Sequence, residues 1–346
     1  MDIRLNSIKA WLTGELKLQL SSIAPASADA SFRRYFRADT PNGSFIIMDA
    51  PPEKESITEF VEIAQALANI GVHTPEIKAK DLKQGFLLLE DLGDCTYLDV
   101  LRDKPNELYR DAIDSLVLIQ QGHNNKSGNN KSTLKVPAYD AEKLEQEMDL
   151  FEHWYVNKHL NLELNATMKQ VWQETKGFLI QACLEQPQTW VHRDFHSRNL
   201  MVTKTSSPGV IDFQDMVLGP LTYDLASIFK DCYIEWPRQQ QLDWLEEYRL
   251  KASLIKTSPV NVEAISSDQL IQWFDLTGLQ RHLKVLGIFC RLYYRDAKDQ
   301  YINDLPLVAK YTLEALTLYP QLASFNDCFG DAIKASLNES KLEQIS

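Results

Sequence analysis

The stretch that decides the fold is HRDFHSRN at residues 192–199, followed by IDF at residues 211–213. It places Asp194 five residues before Asn199, and Asp212 thirteen residues after that asparagine. An aspartate can accept or orient the proton of a hydroxyl, while amide and carboxylate oxygens are ligands that Mg²⁺ prefers. The pattern therefore predicts a phosphoryl transfer site, with Asp194 as the catalytic residue and Asn199 and Asp212 as metal ligands.

Apolar runs on both sides of this stretch favour strands. Residues 188–191 lead into it, residues 200–202 follow it, and residues 209–211 end directly before Asp212. An H-x-D pattern alone would be typical of a polar turn between two strands. The joint spacing to Asn199 and Asp212, with strands on both sides, favours the catalytic interpretation.

Composition and charge exclude several other classes of protein. The chain has 346 residues, which is long for one core, and a formal net charge of −12. A negative field repels phosphate backbones and anionic lipids, so we expect no nucleic-acid or membrane partner. The five cysteines are scattered singly, which predicts neither a zinc site nor disulfides. No signal peptide or membrane-length apolar run is found, and we expect a soluble, cytoplasmic monomer.

The order of predicted elements divides the chain into two parts. Residues 3–20 have helical spacing, residues 24–31 form a loop of small residues, and residues 32–38 and 44–49 form a hairpin around a Pro-Asn-Gly turn. A helix over 55–70 and a strand over 85–90 follow, and beyond them helical patterns dominate. We therefore predict a small β-rich lobe at residues 1–93 and a larger helical lobe at residues 94–346.

The central motif resembles that of a known family. H-x-D-x-x-x-x-N followed by a strand and IDF, together with GPLTYDLA at residues 219–226, is similar to the aminoglycoside phosphotransferase and small-molecule kinase branch of the protein-kinase-like fold. The resemblance implies an α+β bilobal fold that uses ATP and Mg²⁺. It also implies that Asp224 begins a helix and anchors the metal-binding loop.

Four further segments resemble one bacterial subgroup of that family. They are ASFRRYFR at 30–37, MDAPPE at 48–53, LLEDLG at 88–93 and LQRHLKVLGIF at 279–289. The subgroup contains anomeric kinases that phosphorylate N-acetylmuramate and N-acetylglucosamine at C1 during peptidoglycan recycling, which implies an amino sugar as acceptor. The alternatives are a kinase for an aminoglycoside, choline or a hydroxy-amino acid, or a non-catalytic nucleotide-binding scaffold.

The predicted phosphate site departs from the kinase pattern. No glycine-rich loop precedes the hairpin, but Ser27 and Ser31 can offer hydroxyl donors there. The lysine expected on the third strand is absent, and Met48 stands near its position. Arg33 or Arg34 is the replacement that the sequence offers, with a surface strand position as the simpler interpretation for one of them.

The remaining nucleotide contacts follow from the resemblance alone. It places adenine against the backbone around Leu89 and Asp91, where kinases join their lobes. It also implies a helix glutamate, for which Glu59 and Glu62 are both candidates.

The acceptor needs hydrogen-bonding side chains near the catalytic aspartate. By the resemblance, His196 and Arg198 within the motif face the acceptor. Asp215, just past the metal strand, is a third candidate. Weaker candidates are residues 149–155, Arg281 and Arg291.

Overall fold

The computed structural model describes residues 2–28, 33–122, 134–255 and 260–342. Two compact units form within these parts of the chain. The first contains residues 2–103 and 198–215, and the second contains residues 104–122, 135–197 and 216–342. The division into lobes at residue 93 stays a prediction.

The first unit is built on a five-stranded antiparallel sheet with the strand order β1-β2-β3-β5-β4. Helix α1 precedes the sheet and continues as a short π-helical turn over Trp11–Glu15. The strands are β1 (Ser22–Ala28), β2 (Arg34–Thr40), β3 (Gly43–Asp49), β4 (Ile77–Asp81) and β5 (Phe86–Glu90), and the helices are α1 (Ile3–Ala10), α2 (Thr58–Asn69) and α3 (Tyr97–Val100).

The period of two along β2 and β3 gives this sheet two different faces. Phe36 and Ile47 pack with α1 and its continuation in a buried core. Tyr35, Arg37 and Ile46 point the other way and line a cavity. Side chains that alternate along a strand lie on opposite faces, so one short hairpin supplies both the core and a cavity wall.

Strands β1 and β4 correct the sequence prediction. The segment 24–31 was expected to be a loop, yet its first part is strand β1, paired with β2 through a bulge between Pro25 and Ser27. Strand β4, for which no prediction was made, pairs with β5. Both lie at the sheet's edges, where proline and weak strand formers are tolerated because one side needs no ladder partner.

The second unit is mostly helical. Its long helix α9 is buried along most of its length and packs against α5, α6, α7 and α10. The helices are α4 (Pro105–Gly122), α5 (Ala141–Leu150, continued by π-helical turns over Phe151–His159), α6 (Ala166–Leu184), α7 (Tyr223–Phe229), α8 (Arg238–Ser253), α9 (Ser267–Tyr294), α10 (Leu305–Leu318), α11 (Ala323–Phe325) and α12 (Asp331–Leu342).

The apolar runs around the central motif are strands, as predicted, and they belong to two small antiparallel ribbons. Strand β6 (Gln188–Val191) pairs with β9 (Val217–Pro220) in the second unit. Strand β7 (Leu200–Met201) pairs with β8 (Gly209–Val210) in the first. Within the described residues, no helix has the length and apolar character needed to cross a membrane.

Candidate active site

The loop that is predicted to be catalytic, residues 192–199, is called the catalytic loop below, and its start is held by a buried carboxylate. Strand β6 ends at Val191, and the next two backbone N–H groups, of His192 and Arg193, donate to the side chain of Asp224 at 2.7 and 3.0 Å. Asp224 lies in the first turn of α7 and is 1% exposed. The expectation that Asp224 lies at the start of a helix is confirmed, whereas the loop that these hydrogen bonds anchor is the one before Asp194 and not the predicted metal-binding loop.

This anchor stabilises a strained backbone. Arg193 has a φ of 77°, a left-handed conformation that costs a non-glycine residue about 1–3 kcal/mol. Its guanidinium pairs with Glu147 of α5 at 2.5 Å, so both its backbone and its side chain are fixed. Burial raises the pKa of Asp224 to about 6, since the cost of desolvation outweighs its two backbone hydrogen bonds. The turn at Arg193 sets the position of Asp194.

Asp194 lies among cations. Burial pushes its pKa upward, but Lys284, His196, Arg281 and Arg193 together hold the pKa below its usual value. The carboxylate is therefore ionised at neutral pH, ready to accept a hydrogen bond from an acceptor hydroxyl.

The α9 cations are themselves fixed. Lys284 contacts Glu147 and the hydroxyl of Tyr223, each at 3.1 Å. Arg281 is 3% exposed and donates to the sulfur of Cys232 at 3.3 Å. Because these contacts hold both side chains in position, the cations that lower the pKa of Asp194 are a fixed part of the helical unit.

The rest of the loop is tied to the segment after α7. The backbone N–H of Ser197 donates to Asp231 at 2.9 Å. The His196 ring meets Tyr233 edge-on, with 5.4 Å between ring centroids.

Asn199 and Asp212 meet in the first unit. The Asn199 amide donates to Asp212 Oδ2 at 3.3 Å, and Gln214 donates to Oδ1 at 2.7 Å. The β7–β8 ribbon and a bond from Ile211 N to Asn199 O at 3.1 Å fix their separation. Phe213 packs on Phe60 of α2 with 4.8 Å between ring centroids. The two side chains predicted as metal ligands therefore face each other.

This donor set fits Mg²⁺. Among the described residues, no group of three or more His, Cys, Asp and Glu side chains is placed to hold a metal ion. Mg²⁺ needs fewer protein ligands, because it keeps water and phosphate oxygens in its coordination shell. One amide and one carboxylate, with the oxygen of Gln214 buried and lacking a hydrogen bond, form such a small oxygen site.

A cavity of about 500 Å³ lies in the first unit beside these residues. Its wall combines the cavity face of the sheet, the turn after β5 and the ribbon that carries Asn199 and Asp212. Its lining includes Tyr35, Arg37, Ile46, Leu89, Glu90, Asp91, Asp94, Arg198, Asn199 and Asp212.

The residues predicted to bind the nucleotide fall into three groups. Leu89 and Asp91 line the cavity. Arg33 is away from its wall, with its guanidinium 3.0 Å from Glu55. Ser27 belongs to β1, and Ser31 lies outside the described residues.

The residues predicted to bind the acceptor are also divided. Arg198 is on the cavity wall in the first unit, whereas His196 belongs to the second. Asp215 is exposed in the turn that follows Phe213. Arg281 is buried beside Asp194, and Arg291 is half-buried on the same helix. All of these roles stay predictions.

Four residues were missed by reasoning from sequence. Arg37 and Asp94 line the cavity, while Glu147 and Lys284 form the charged network around Asp194. The alternation along β2 could have placed Arg37 beside Tyr35, and the spacing of three residues from Arg281 could have indicated Lys284. Nothing in the local sequence distinguishes Glu147 from a surface glutamate on an amphipathic helix.

Known proteins resemble this chain along most of its length. An N-acetylmuramate/N-acetylglucosamine kinase of Pseudomonas putida is 40% identical over 341 residues, covering 95% of this chain and 97% of that protein. One of the same description from Neisseria meningitidis is 39% identical, covering 91% and 92%. The solved GDP complex of aminoglycoside 2'-phosphotransferase-IIIa matches with a TM-score of 0.62 at 11% identity, covering 90% of this chain and 99% of that one.

The solved structure shows the shared fold, an antiparallel five-stranded sheet followed by a mostly helical region. Residues 22–256 match the phosphotransferase enzyme family, and this span includes the sheet, the catalytic loop and Asp224. The chain therefore belongs to the phosphotransferase enzyme family, as the resemblance of its central motif predicted.

Proposed function

We propose that this chain is a cytoplasmic kinase that transfers the γ-phosphoryl group of ATP to the anomeric C1 hydroxyl of N-acetylmuramate and N-acetylglucosamine. The product is the sugar 1-phosphate, formed in the recycling of peptidoglycan. The observation that carries the proposal is the 40% identity to an N-acetylmuramate/N-acetylglucosamine kinase over 95% of the chain, with Asp194, Asn199 and Asp212 in place.

The chemistry follows from the charge state of Asp194. Its ionised carboxylate accepts a hydrogen bond from the C1 hydroxyl and aims the oxygen at the γ-phosphorus. The oxygen–phosphorus bond forms, the hydroxyl proton passes to Asp194, and the bond to the β,γ-bridging oxygen breaks to release ADP. A carboxylate of low pKa is a weak base, but little proton transfer is needed early in a loose phosphoryl transfer transition state.

Asn199 and Asp212 would hold Mg²⁺, which supplies positive charge to the phosphate oxygens when it is bound. The nucleotide base would occupy the cavity beside Leu89 of β5 and Asp91 in the turn that follows.

Turnover with a panel of acceptors tests the proposal. ADP release is measured with N-acetylmuramate, N-acetylglucosamine, an aminoglycoside and choline, and the product is identified by phosphorus NMR. We expect turnover with the two amino sugars and none with their C1 methyl glycosides, which lack the anomeric hydroxyl. Phosphorylation of a methyl glycoside would refute C1 as the acceptor position, and turnover of choline alone would refute the substrate class.

Replacement of the catalytic carboxylate tests the mechanism. Asp194→Asn should lower kcat at least about 100-fold, because general-base and orienting groups contribute on that order. ADP affinity, measured by calorimetry, should stay within about twofold. A variant with nearly unchanged kcat would contradict the role of Asp194.

A further inference from the structure

The turn after β5 lines the cavity but is not held there by its own backbone. Residues 91–94 all lie on the cavity wall. Strand β5 makes its last ladder pair at Glu90, opposite Phe45 of β3. Among the residues that the structure describes, no backbone–backbone hydrogen bond involves residues 91–94. The conformation of this turn therefore depends on side chains.

Arg37 of β2 is the side chain that holds the turn. Its Nε and Nη2 donate to the two carboxylate oxygens of Asp91 at 2.6 and 3.0 Å, and Nη2 also donates to the Gly93 carbonyl oxygen at 3.2 Å. Its Nη1 contacts the carboxylate of Asp94. One guanidinium thus binds three of the four residues of the turn, two through their side chains and one through its backbone.

Arg37 acts on the turn mainly through Asp91. The side chain of Asp91 is 5% exposed, and a bidentate arginine–carboxylate pair fixes direction as well as distance. The same carboxylate accepts from the backbone N–H of Gly93 at 2.9 Å. The side chain of Asp94 is 83% exposed, so its ion pair with Arg37 contributes little. Asp91 therefore links the guanidinium to the backbone of the turn.

The backbone of the turn needs such a link because of its glycine. Gly93 has a φ of 90°, a conformation that glycine adopts without strain but also leaves easily. The N–H groups of Asp91, Leu92 and Asp94 donate to no acceptor in the described part of the chain. They are the backbone donors that this part of the wall can offer to a ligand, and their directions depend on the conformation that Arg37 selects.

We propose that Arg37 is a positioning residue for the nucleotide base, which lies against the turn that Arg37 fixes. The inference rests on the proposed function only in placing a nucleotide in this cavity, and it holds for any acceptor. Loss of Arg37 should weaken the part of the nucleotide affinity that comes from the base and leave the part that comes from the phosphates.

Three ligands separate the base from the phosphates. Calorimetry with Mg²⁺ gives the affinity of the full chain for ADP. Displacement of ADP gives the affinities for adenosine, which has no phosphate, and for tripolyphosphate, which has no base. In Arg37→Gln we expect about 10- to 100-fold weaker binding of ADP and adenosine, and tripolyphosphate binding within about twofold of the wild type.

Kinetics and a conservative variant add a second measurement. The KM for ATP should rise in Arg37→Gln while kcat stays within about threefold, because contacts to the base are equal in the ground state and the transition state. Arg37→Lys keeps the charge but loses the bidentate pair, so its ADP affinity should lie between those of the wild type and Arg37→Gln.

Arg4→Gln is the matched control. Arg4 of α1 lies in the same unit and makes the same kind of contacts, to the carboxylate of Asp49 at 2.8 and 2.5 Å and to the Gln84 carbonyl oxygen at 2.7 Å, but it lies away from the cavity wall. Its loss should lower the urea midpoint, as the loss of Arg37 does, and leave the affinities for ADP and adenosine unchanged.

Three results would overturn the inference. They are unchanged ADP and adenosine affinities in Arg37→Gln, an equal loss of ADP affinity in Arg4→Gln, and an equal loss of tripolyphosphate affinity in Arg37→Gln, since the last two would indicate a loosened unit and not a misplaced turn. A wild type that binds neither ADP nor adenosine would instead refute the nucleotide site of the proposed function, and the inference with it.

Discussion

At the scale of single residues, the site contains two carboxylates whose surroundings shift their pKa values in opposite directions. Asp194 is surrounded by cations that keep it ionised. Asp224, in the first turn of α7, has a raised pKa because it is buried, and it accepts hydrogen bonds from two backbone N–H groups. The same residue type thus has a lowered pKa in one place and a raised pKa in the other, as the surrounding charge and burial decide.

Removing the structural carboxylate should therefore impair both stability and turnover. Asp224→Ala leaves the N–H groups of His192 and Arg193 buried and unsatisfied, which costs about 2–4 kcal/mol in free energy of unfolding. Because Arg193 is strained, its turn should relax and move Asp194, lowering kcat by more than tenfold. Urea denaturation and steady-state kinetics measure the two effects.

Asn165→Ala is the matched control for that variant. Asn165 caps α6 by accepting from the N–H of Met168 at 2.9 Å, so its loss should cost about 1 kcal/mol in stability and leave kcat unchanged. A stable Asp224→Ala protein with normal turnover would show that Asp224 does not position the loop.

At the scale of elements, prediction from sequence succeeded where periodicity was strong. The β2–β3 hairpin, β5, α2 and the strands around the catalytic loop match their predicted places. β1 and β4 could not be recognised, since Ser-Ile-Ala-Pro-Ala-Ser-Ala and Ile-Lys-Ala-Lys-Asp consist mostly of residues that are weak strand formers, and they become strands by pairing with the next strand along the chain.

The candidate site could likewise be predicted from the sequence only in part. Asp194, Asn199 and Asp212 belong to one local pattern. Glu147 and Lys284 come from helices α5 and α9, and only the packing of these helices brings them to Arg193 and Tyr223. Long-range packing of this kind leaves no mark in a local sequence window.

That packing requires a glycine. A Cβ added at Gly287 of α9 would lie 2.4 Å from the Leu150 carbonyl oxygen and 2.6 Å from the Phe151 nitrogen, so the backbones of α9 and α5 approach too closely for a side chain. Gly287→Ala should therefore lower the free energy of unfolding by about 1–3 kcal/mol. It should also weaken turnover, because Lys284 lies one turn earlier and Glu147 lies on the displaced partner. Urea denaturation and kinetics measure both.

Gly177 is the control, since it lies within α6 with nothing within 4 Å of an added Cβ. Gly177→Ala should stabilise the protein by about 0.5–1 kcal/mol through helix propensity, with unchanged kcat. If both substitutions stabilise the chain, the close approach at Gly287 is not tight.

At the scale of the whole molecule, buried ionisable side chains make the stability of the fold depend on pH. His282 of α9 is 1% exposed, donates from Nε2 to the Lys230 carbonyl at 3.0 Å and stacks on Tyr311. Desolvation lowers its pKa to about 3; the hydrogen bond to Lys230 opposes this shift, and the charges of Arg281 and Lys230 add to it. The folded protein therefore keeps this ring neutral at pH values where the unfolded chain protonates it.

The lowered pKa of His282 sets the direction in which stability changes with pH. Below the unfolded pKa of about 6.5 the unfolded state binds one more proton than the folded state, so the contribution of His282 is present at neutral pH and is lost as the pH falls. Between pH 7.5 and 5.5 this loss is about 1 kcal/mol. Asp224 has the opposite effect, because its pKa is raised in the folded state. Its contribution to stability increases as the pH falls from about 6 to 4. The pH dependence of wild-type stability is the sum of these two contributions, and a variant at His282 isolates the histidine contribution.

His282→Gln keeps a donor for the Lys230 carbonyl and removes the titrating ring. It should be less stable than the wild type at pH 7.5, owing to the lost stacking on Tyr311. On acidification to pH 5.5 it should lose about 1 kcal/mol less than the wild type, as measured from urea midpoints at each pH. His153→Gln, at an exposed histidine, should follow the wild-type curve. Parallel curves for His282→Gln and the wild type would mean that the buried ring is not what destabilises the fold in acid.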